Sequence, residues 1–225
     1  MKYKLISLDM FYTLADLDAC YRPTWERALG RSVTDAELAQ LNRILGEGYL
    51  PQYHALPALS FRTMYEVFAE GFEHVRRTLG LPLDPSRASH IFCEEHGRVP
   101  LYPEVTDALR RLSRRYSLAV ASDADCDMVR GLLDRLPVRW AFVSEALGCY
   151  KADRDRRFFS ELLRTTGCAP EEVLHVGDGS PDILGASASG IDTCLLARNG
   201  RAPGALRERA RLCVRSFDEL DGLLA

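Results

Sequence analysis

Short apolar segments alternate with helix-forming segments in the second half of the sequence, and this alternation most constrains the fold. Apolar runs of strand length, separated by charged helical stretches, are typical of parallel strands in a sheet that helices cover on both faces. The pattern therefore predicts an α/β fold with a doubly wound parallel sheet. The predicted strands are residues 117–122, 138–143, 173–177, 191–196 and a short one near 212–214, and the predicted helices are residues 104–115, 127–136, 154–166, 182–189 and 217–224.

One more strand, at about residues 3–9, lies far from the others in the sequence, and helical segments fill the interval. Glycine and proline predict breaks between those helices at residues 48–57 and 80–82. A helical block of this length between two strands of one sheet indicates an insertion, which we expect to form a cap over the carboxyl edge of the sheet. The predicted helices are residues 21–29, 34–47, 61–79 and 85–95, the predicted cap is residues 15–98, and the predicted core is residues 1–14 and 99–225.

The composition is that of an ordinary globular protein: of 225 residues, 47% are hydrophobic and 27% are charged. A net charge of −3 gives no general attraction to nucleic acid or to an anionic membrane, so we expect neither as a partner. Seven scattered cysteines without a CxxC pair predict reduced thiols and a cytoplasmic protein. We also expect no signal peptide and no membrane span, and either a monomer or a homodimer.

Polar and charged residues stand where four of the predicted strands end. They are Asp9 at the end of the first strand, Ser122 at the end of the second with Asp123 after it, Lys151 in the loop after the third, and Asp178 and Asp182 after the fourth. Because the carboxyl ends of parallel strands lie at one edge of a sheet, we expect these side chains to meet in one crevice. Each residue alone has an ordinary explanation, as a turn former, a helix cap or an exposed lysine. Their occurrence together favours a functional site.

The residue types at these positions suit the chemistry of phosphate. Asp9, Asp178 and Asp182 offer the hard oxygen ligands that Mg²⁺ prefers. Ser122 and Lys151 offer a hydroxyl donor and a cation for the oxygens of a transferring phosphoryl group. Backbone amides at Phe11, Tyr12 and Gly179 are further candidate donors.

Four segments resemble, in chain order, the four motifs of the haloacid dehalogenase superfamily of hydrolases. They are residues 9–14, Ser122, Lys151 within residues 149–153, and residues 177–182. The resemblance spans the whole chain, and it implies a Rossmann-like core with a helical cap inserted between the first and second motifs.

The resemblance also implies roles for individual residues. Asp9 is expected to be the nucleophile, with Ser122 and Lys151 as the other catalytic residues. Mg²⁺ is expected to bind Asp9, the carbonyl of Phe11 and Asp178, with Asp182 in support. The expected phosphate-binding residues are Phe11, Tyr12, Ser122, Asp123 and Lys151, and the expected substrate is a small molecule that carries a phosphate.

The sequence departs from the family pattern at three positions. Phe11 stands where family phosphatases carry a second aspartate, which protonates the leaving group and then activates water. Phe cannot transfer a proton, and general acid–base catalysis is worth typically ~10²–10⁴-fold in rate. Tyr12 stands where glycine is common, and Asp123 stands where asparagine is frequent. We therefore expect weak activity on alkyl monoesters, unless a group such as Asp16, Asp18 or His54 replaces the missing acid.

Three functions remain open from the sequence. The first is Mg²⁺-dependent hydrolysis of phosphates with good leaving groups, such as acyl phosphates. The second is a 2-haloacid dehalogenase-like reaction, which tolerates an aromatic residue at Phe11 because halide leaves without a proton, and for which Arg43 or Arg62 would cradle the halide. The third is a member that binds a phosphoryl ligand without hydrolysis. Asp178 and Asp182 favour the first, since two carboxylates would repel an anionic haloacid.

Overall fold

A computed structural model describes residues 2–55, 60–198 and 204–225. Six parallel strands form one sheet in the order β3-β2-β1-β4-β5-β6. The strands are β1 (Leu5–Leu8), β2 (Ser117–Ser122), β3 (Trp140–Val143), β4 (Val173–Gly177), β5 (Asp192–Leu196) and β6 (Leu212–Val214). The predicted doubly wound α/β fold is confirmed.

Eleven helices surround or extend this sheet in the described residues. They are α1 (Tyr21–Leu29), α2 (Asp35–Ala55), α3 (Met64–Leu79), α4 (Pro85–His96), α5 (Val105–Leu112), α6 (Cys126–Leu133), α7 (Ser144–Leu147), α8 (Arg157–Thr166), α9 (Ala186–Ala188), α10 (Gly204–Arg209) and α11 (Phe217–Leu223). Short 3₁₀ turns occupy Leu17–Cys20 and Pro170–Glu172, and a π-helical turn occupies Pro181–Gly185 just before α9. No described helix is long and apolar enough to cross a membrane.

The order of the strands places the start of the site at the centre of the sheet. β1 lies between β2 and β4, and the chain winds outward from it in both directions. All four residues of β1 are buried, because helices cover both faces of the sheet. In such sheets ligands bind outside the carboxyl ends of the strands, where the winding reverses. That point lies between the ends of β1 and β4, after which Asp9 and Asp178 follow.

Helix α2 is longer than the sequence predicts. The predicted break at residues 48–57 is wrong for residues 48–55, because α2 continues through Gly48 and Pro51 to Ala55. The last two residues of that break, 56 and 57, lie outside the described residues. A Cβ on Gly48 would lie 2.7 Å from the Cβ of His74 and 3.0 Å from the Cα of Gly71, so the glycine allows α2 and α3 to touch. Tertiary contact thus outweighs the helix-breaking tendency of glycine and proline.

Other element boundaries differ from the predictions by a few residues. The helix predicted from residue 154 begins at Arg157, after Arg156 adopts a left-handed backbone with φ of 58°. The helix predicted over residues 182–189 is a π-helical turn followed by the short α9. Helices α7 and α10 were not predicted.

A carboxylate from the sheet side of the molecule holds the start of α3. The two oxygens of Asp125, between β2 and α6, accept hydrogen bonds from the backbone amides of Met64 and Tyr65, each at 2.8 Å. These are the first two amides of α3, which have no partner within the helix. Asp125 therefore joins the inserted helices to the sheet through buried, charge-assisted hydrogen bonds.

Replacing Asp125 with Ala is expected to lower the free energy of unfolding by about 1–2 kcal/mol, the usual cost of losing a capping carboxylate. Urea unfolding followed by circular dichroism measures the change. Asp127→Ala is the matched control. The Asp127 side chain is exposed on α6, two residues after Asp125, and its loss should cost less than about 0.5 kcal/mol. Equal losses in the two variants would contradict the capping role of Asp125.

Candidate active site

Asp9 is the residue that directly follows β1, and a tight turn fixes its position. Its amide donates to the carbonyl of Val176 on β4 at 2.9 Å, and its side chain is 9% exposed. The turn closes with the amides of Leu14 and Ala15, which both donate to the carbonyl of Met10. Within it, Tyr12 takes a left-handed backbone with φ of 61°, a conformation that is unfavourable for a bulky residue.

Lys151 is buried between two of the predicted carboxylates. Its Nζ donates to Oδ1 of Asp9 at 2.7 Å and pairs with Oδ1 of Asp182, and its side chain is 3% exposed. The backbone of Lys151 is held as well: its amide donates to Oδ1 of Asp123 at 2.9 Å. A Cβ on Gly185 would lie 2.2 Å from the Lys151 carbonyl oxygen, so the glycine admits this close packing. The loop after β3 thus brings a fixed cation to Asp9.

Asp182 is held by more than the lysine. Nε2 of His175 lies 3.0 Å from Oδ1 of Asp182, and the amide of Gly179 donates to Oδ2 at 3.0 Å. Nδ1 of His175 lies 3.0 Å from Oγ of Ser7, on the neighbouring strand β1. His175 is buried on β4, and its contact with Asp182 was not predicted. The carboxylate of Asp182 is therefore oriented from three sides.

Burial and neighbouring charges shift the pKa values of the site carboxylates in opposite directions. Burial opposes ionisation of Asp182, but the Lys151 charge and the His175 hydrogen bond outweigh it and lower the pKa. Burial, together with the charges of Asp9 and Asp182, holds the pKa of Asp178 well above its usual range. Burial raises the pKa of Asp123 to about 6, and it raises the pKa of Asp9 against the opposing charge of Lys151. The cluster carries more acidic groups than its single lysine can balance.

This donor set fits a divalent cation. Asp9, Asp178 and Asp182 each place one carboxylate oxygen within 4.8 Å of the others. Among the described residues Asp178 makes no ion pair, whereas the other two share Lys151. With all three carboxylates ionised, one ammonium would leave an excess of negative charge, which is why the pKa of Asp178 is raised. A hard cation with oxygen ligands would neutralise that charge. The three carboxylates of Asp9, Asp178 and Asp182 are the ligands that suit such a cation.

A cavity of about 240 Å³ opens above these groups, between the strand ends and the inserted helices. Ser122, Asp123 and Phe11 line it, as do Tyr12 and Gly179. The amides of Tyr12 and Gly179 are not free for a phosphate, because they donate to Ala15 and Asp182. The expected use of those two amides is thus wrong, although both residues line the cavity.

The structure separates the other sequence candidates. Arg43 pairs with Glu47 and Arg62 pairs with Glu70, and neither arginine is among the described residues that line the cavity. Of the possible replacements for the missing acid, His54 lines the cavity, whereas Asp18 accepts a hydrogen bond from the Tyr12 hydroxyl at 3.1 Å outside it. Asp16 also lies outside the cavity lining.

Two residues that line the cavity were missed or left unassigned by sequence reasoning. His96 ends α4 and is 1% exposed, and Tyr53 on α2 faces the charged cluster. The signal for His96 was its place four residues after the buried Phe92 on one helix face. That spacing shows burial, but it does not show that the residue borders a cavity.

A parallel α/β sheet with a carboxylate nucleophile candidate, a buried lysine and an acidic cluster at its switch point defines a class of hydrolase site. The sequence model of the haloacid dehalogenase-like hydrolases matches residues 3–190. The chain belongs to this family.

Known relatives fall into two groups of enzymes. The chain is 30% identical over 173 residues to a phosphoserine phosphatase of Thermus thermophilus, and the matched stretch covers 74% of this chain and 65% of that protein. It is 29% identical over 129 residues to an (S)-2-haloacid dehalogenase of Pseudomonas sp. strain YL, and that stretch covers 55% of this chain and 54% of that protein. This chain covers 38–49% of the length of the other phosphatases that it matches.

The fold of this chain superposes on a solved structure over nearly the full length of both chains. The Bacillus subtilis protein YfnB, solved bound to magnesium, superposes with a TM-score of 0.82 at 18% identity, covering 100% of this chain and 99% of that one. At this identity the likeness shows the fold alone.

Proposed function

We propose that the protein hydrolyses small phosphorylated molecules through an aspartyl-phosphate on Asp9. The observation that carries this proposal is the cluster of Asp9, Asp178 and Asp182, in which Asp178 makes no ion pair in the described part of the chain. A carboxylate kept there without a cation would be unfavourable, so the cluster suits Mg²⁺. The 2-haloacid dehalogenase reaction needs no such cluster.

The residues of this chain support a two-step reaction. Asp9 uses the oxygen that does not face Lys151 to attack phosphorus, and the bond from phosphorus to the leaving oxygen breaks with its electron pair. Water then attacks the phosphoryl group, which leaves as inorganic phosphate and restores Asp9. Ser122 and Lys151 donate to the oxygens that gain charge.

Mg²⁺ would be held by Asp9, the carbonyl of Phe11 and Asp178, with Asp182 in support. When bound, it would shield the phosphate charge so that an anionic nucleophile can approach.

Phe11 restricts the substrates in this proposal. Its ring lines the cavity where a proton donor would be needed, and it cannot protonate a leaving alkoxide. Leaving groups that depart as stable anions do not need that proton, so acyl phosphates and activated aryl phosphates are the favoured substrates. Unassisted alkyl monoesters should react slower by the typical ~10²–10⁴-fold contribution of acid–base catalysis.

A dehalogenase-like reaction is the second candidate, and Phe11 is the observation that favours it. The positions of Arg43 and Arg62 weigh against it, since each pairs with a glutamate and neither belongs to the cavity lining that the structure describes. Lys151 is thus the only arginine or lysine that the described cavity lining offers to a halide. Binding of a phosphoryl ligand without turnover is the third candidate.

We expect turnover of p-nitrophenyl phosphate and acetyl phosphate with Mg²⁺ and none with EDTA. Asp178→Asn should raise the Mg²⁺ concentration needed for half-maximal activity by more than about tenfold, because it removes a charged ligand. Asp127→Asn, an exposed change on α6, should leave it unaltered.

Other results select among the three candidates. Release of halide from a 2-haloacid, unaffected by EDTA and without phosphate turnover, would establish the dehalogenase reaction instead. Tight binding of inorganic phosphate without turnover of p-nitrophenyl phosphate or acetyl phosphate would establish the binding role.

The proposal places the enzyme in the cytoplasm, as a monomer or a homodimer. All seven cysteines are unpaired, which suits a reducing compartment.

A further inference from the structure

His96 is a buried polar residue that the proposed reaction does not use. It ends α4, and its Nδ1 lies 2.7 Å from the carbonyl oxygen of Phe92. A carbonyl oxygen only accepts hydrogen bonds, so Nδ1 carries the proton and Nε2 carries the lone pair. Burial lowers the pKa of His96 to about 4, which keeps the ring in this neutral form near pH 7.

Three phenylalanine rings surround the imidazole. The ring centroids of Phe11, Phe68 and Phe92 lie 5.0, 5.5 and 4.4 Å from that of His96. Nε2 makes no hydrogen bond within the described residues, and His96, a residue that is 1% exposed, borders the cavity. Nε2 is not one of the fully buried, unpaired polar atoms of the described residues, so it is accessible from the cavity as an acceptor that no protein group satisfies. A ligand in the cavity can supply the missing donor.

Many of the other residues in the cavity wall are aromatic. Besides His96 and His54, phenylalanine and tyrosine rings line it, from Phe11, Tyr12, Tyr49, Tyr53, Phe68 and Phe92. The volume of about 240 Å³ exceeds the roughly 150 Å³ in which an apolar cavity binds benzene. Lys151 is the one arginine or lysine that the described lining contains, and Asp9 and Asp182 engage it. A leaving group with a carboxylate of its own would therefore find no arginine and no unengaged lysine in the described lining.

We infer that the cavity binds the leaving group of the substrate as an aromatic ring with a hydroxyl or amino substituent, and that Nε2 of His96 accepts a hydrogen bond from that substituent. His96 is thus a specificity-determining residue. The phosphate end of this substrate rests on the proposed function. An aryl group also agrees with Phe11, since a phenol, with an acidity near that of tyrosine and a pKa of about 10, leaves as an anion far more readily than an alcohol.

Equilibrium binding of non-hydrolysable phosphonates with Mg²⁺ tests the inference without requiring turnover. Phenylphosphonate is expected to bind more than about tenfold tighter than methylphosphonate, because its ring is buried against apolar surface. At least one of the three hydroxyphenylphosphonates is expected to bind about tenfold tighter than phenylphosphonate, through the hydrogen bond to His96. The corresponding methoxyphenylphosphonate, which has no donor, should lose that advantage.

Variants locate the acceptor. His96→Phe should bring the affinity of the hydroxyl compound to that of phenylphosphonate, and it should leave phenylphosphonate within about threefold of its wild-type affinity. His96→Gln should retain part of the advantage, since its amide can donate to Phe92 and its oxygen can accept. His90→Phe is the matched control, an exposed histidine on the same helix, and it should change nothing.

The outcomes separate this inference from the proposed function. Equal binding of methylphosphonate and phenylphosphonate, or no preference of the wild-type protein for any hydroxyl compound over its methoxy counterpart, would overturn the inference and leave phosphate binding intact. A hydroxyl preference that survives His96→Phe would also overturn it. If no phosphonate binds but phenol does, with a loss of affinity in His96→Phe, the cavity assignment stands and the phosphatase proposal fails.

Discussion

Asp9→Asn is expected to abolish turnover of acetyl phosphate and p-nitrophenyl phosphate, with a loss of at least about 10³-fold in kcat. The amide has nearly the shape of the carboxylate, but its oxygen is a poor nucleophile toward phosphorus. The position of Asp9 should survive, because its backbone is held by Val176 and by the turn around Met10. The comparison requires saturating substrate and Mg²⁺, so that weaker binding does not imitate a loss of chemistry.

Direct observation of the intermediate makes this test independent of metal binding. Wild-type protein quenched in acid during turnover of acetyl phosphate should carry one phosphoryl group on the peptide that contains Asp9, as measured by mass spectrometry. Asp127→Asn serves as the control for a charge change, and its turnover should equal that of the wild type. Unchanged activity in Asp9→Asn, or phosphorylation at another residue, would remove Asp9 as the nucleophile.

Lys151→Met is expected to lower the free energy of unfolding by about 3–5 kcal/mol in the absence of metal, as for one partner removed from a buried ion pair. The methionine fills a similar volume, so the loss reflects charge rather than packing. Without the ammonium, Asp9 and Asp182 remain buried close to Asp178 with no cation to balance them. Urea unfolding at pH 7 measures the effect.

Mg²⁺ should restore part of the stability that Lys151→Met loses, since a divalent cation relieves the same repulsion between carboxylates. Lys4→Met is the matched control, because Lys4 pairs with Glu172 at the surface and its side chain is 69% exposed. Its loss should cost no more than about 1 kcal/mol, with or without Mg²⁺. Similar losses in the two variants would show that Lys151 does not balance the buried cluster.

The predicted strands and their polar ends indicated the edge of the sheet at which the candidate site lies. Ser122 ends β2, Asp9 and Asp178 directly follow β1 and β4, and the parallel order brings all three to one edge. The loop containing Lys151 could be placed near them only by its position after β3. Its two ion pairs follow from the close contact between this loop and Gly185, which no local pattern reveals.

The sequence alone determined the parallel α/β sheet, the helical insertion after β1 and the edge at which the carboxylates gather, because apolar periodicity and strand direction are properties of short segments. Only the tertiary structure decided that α2 continues through Gly48, that His175 orients Asp182, that Arg43 lies away from the cavity and that His96 borders it. Each of these depends on packing between segments far apart in the chain. The packing around such a residue outweighs its intrinsic secondary-structure propensity. The residues next to it in the sequence do not reveal that packing.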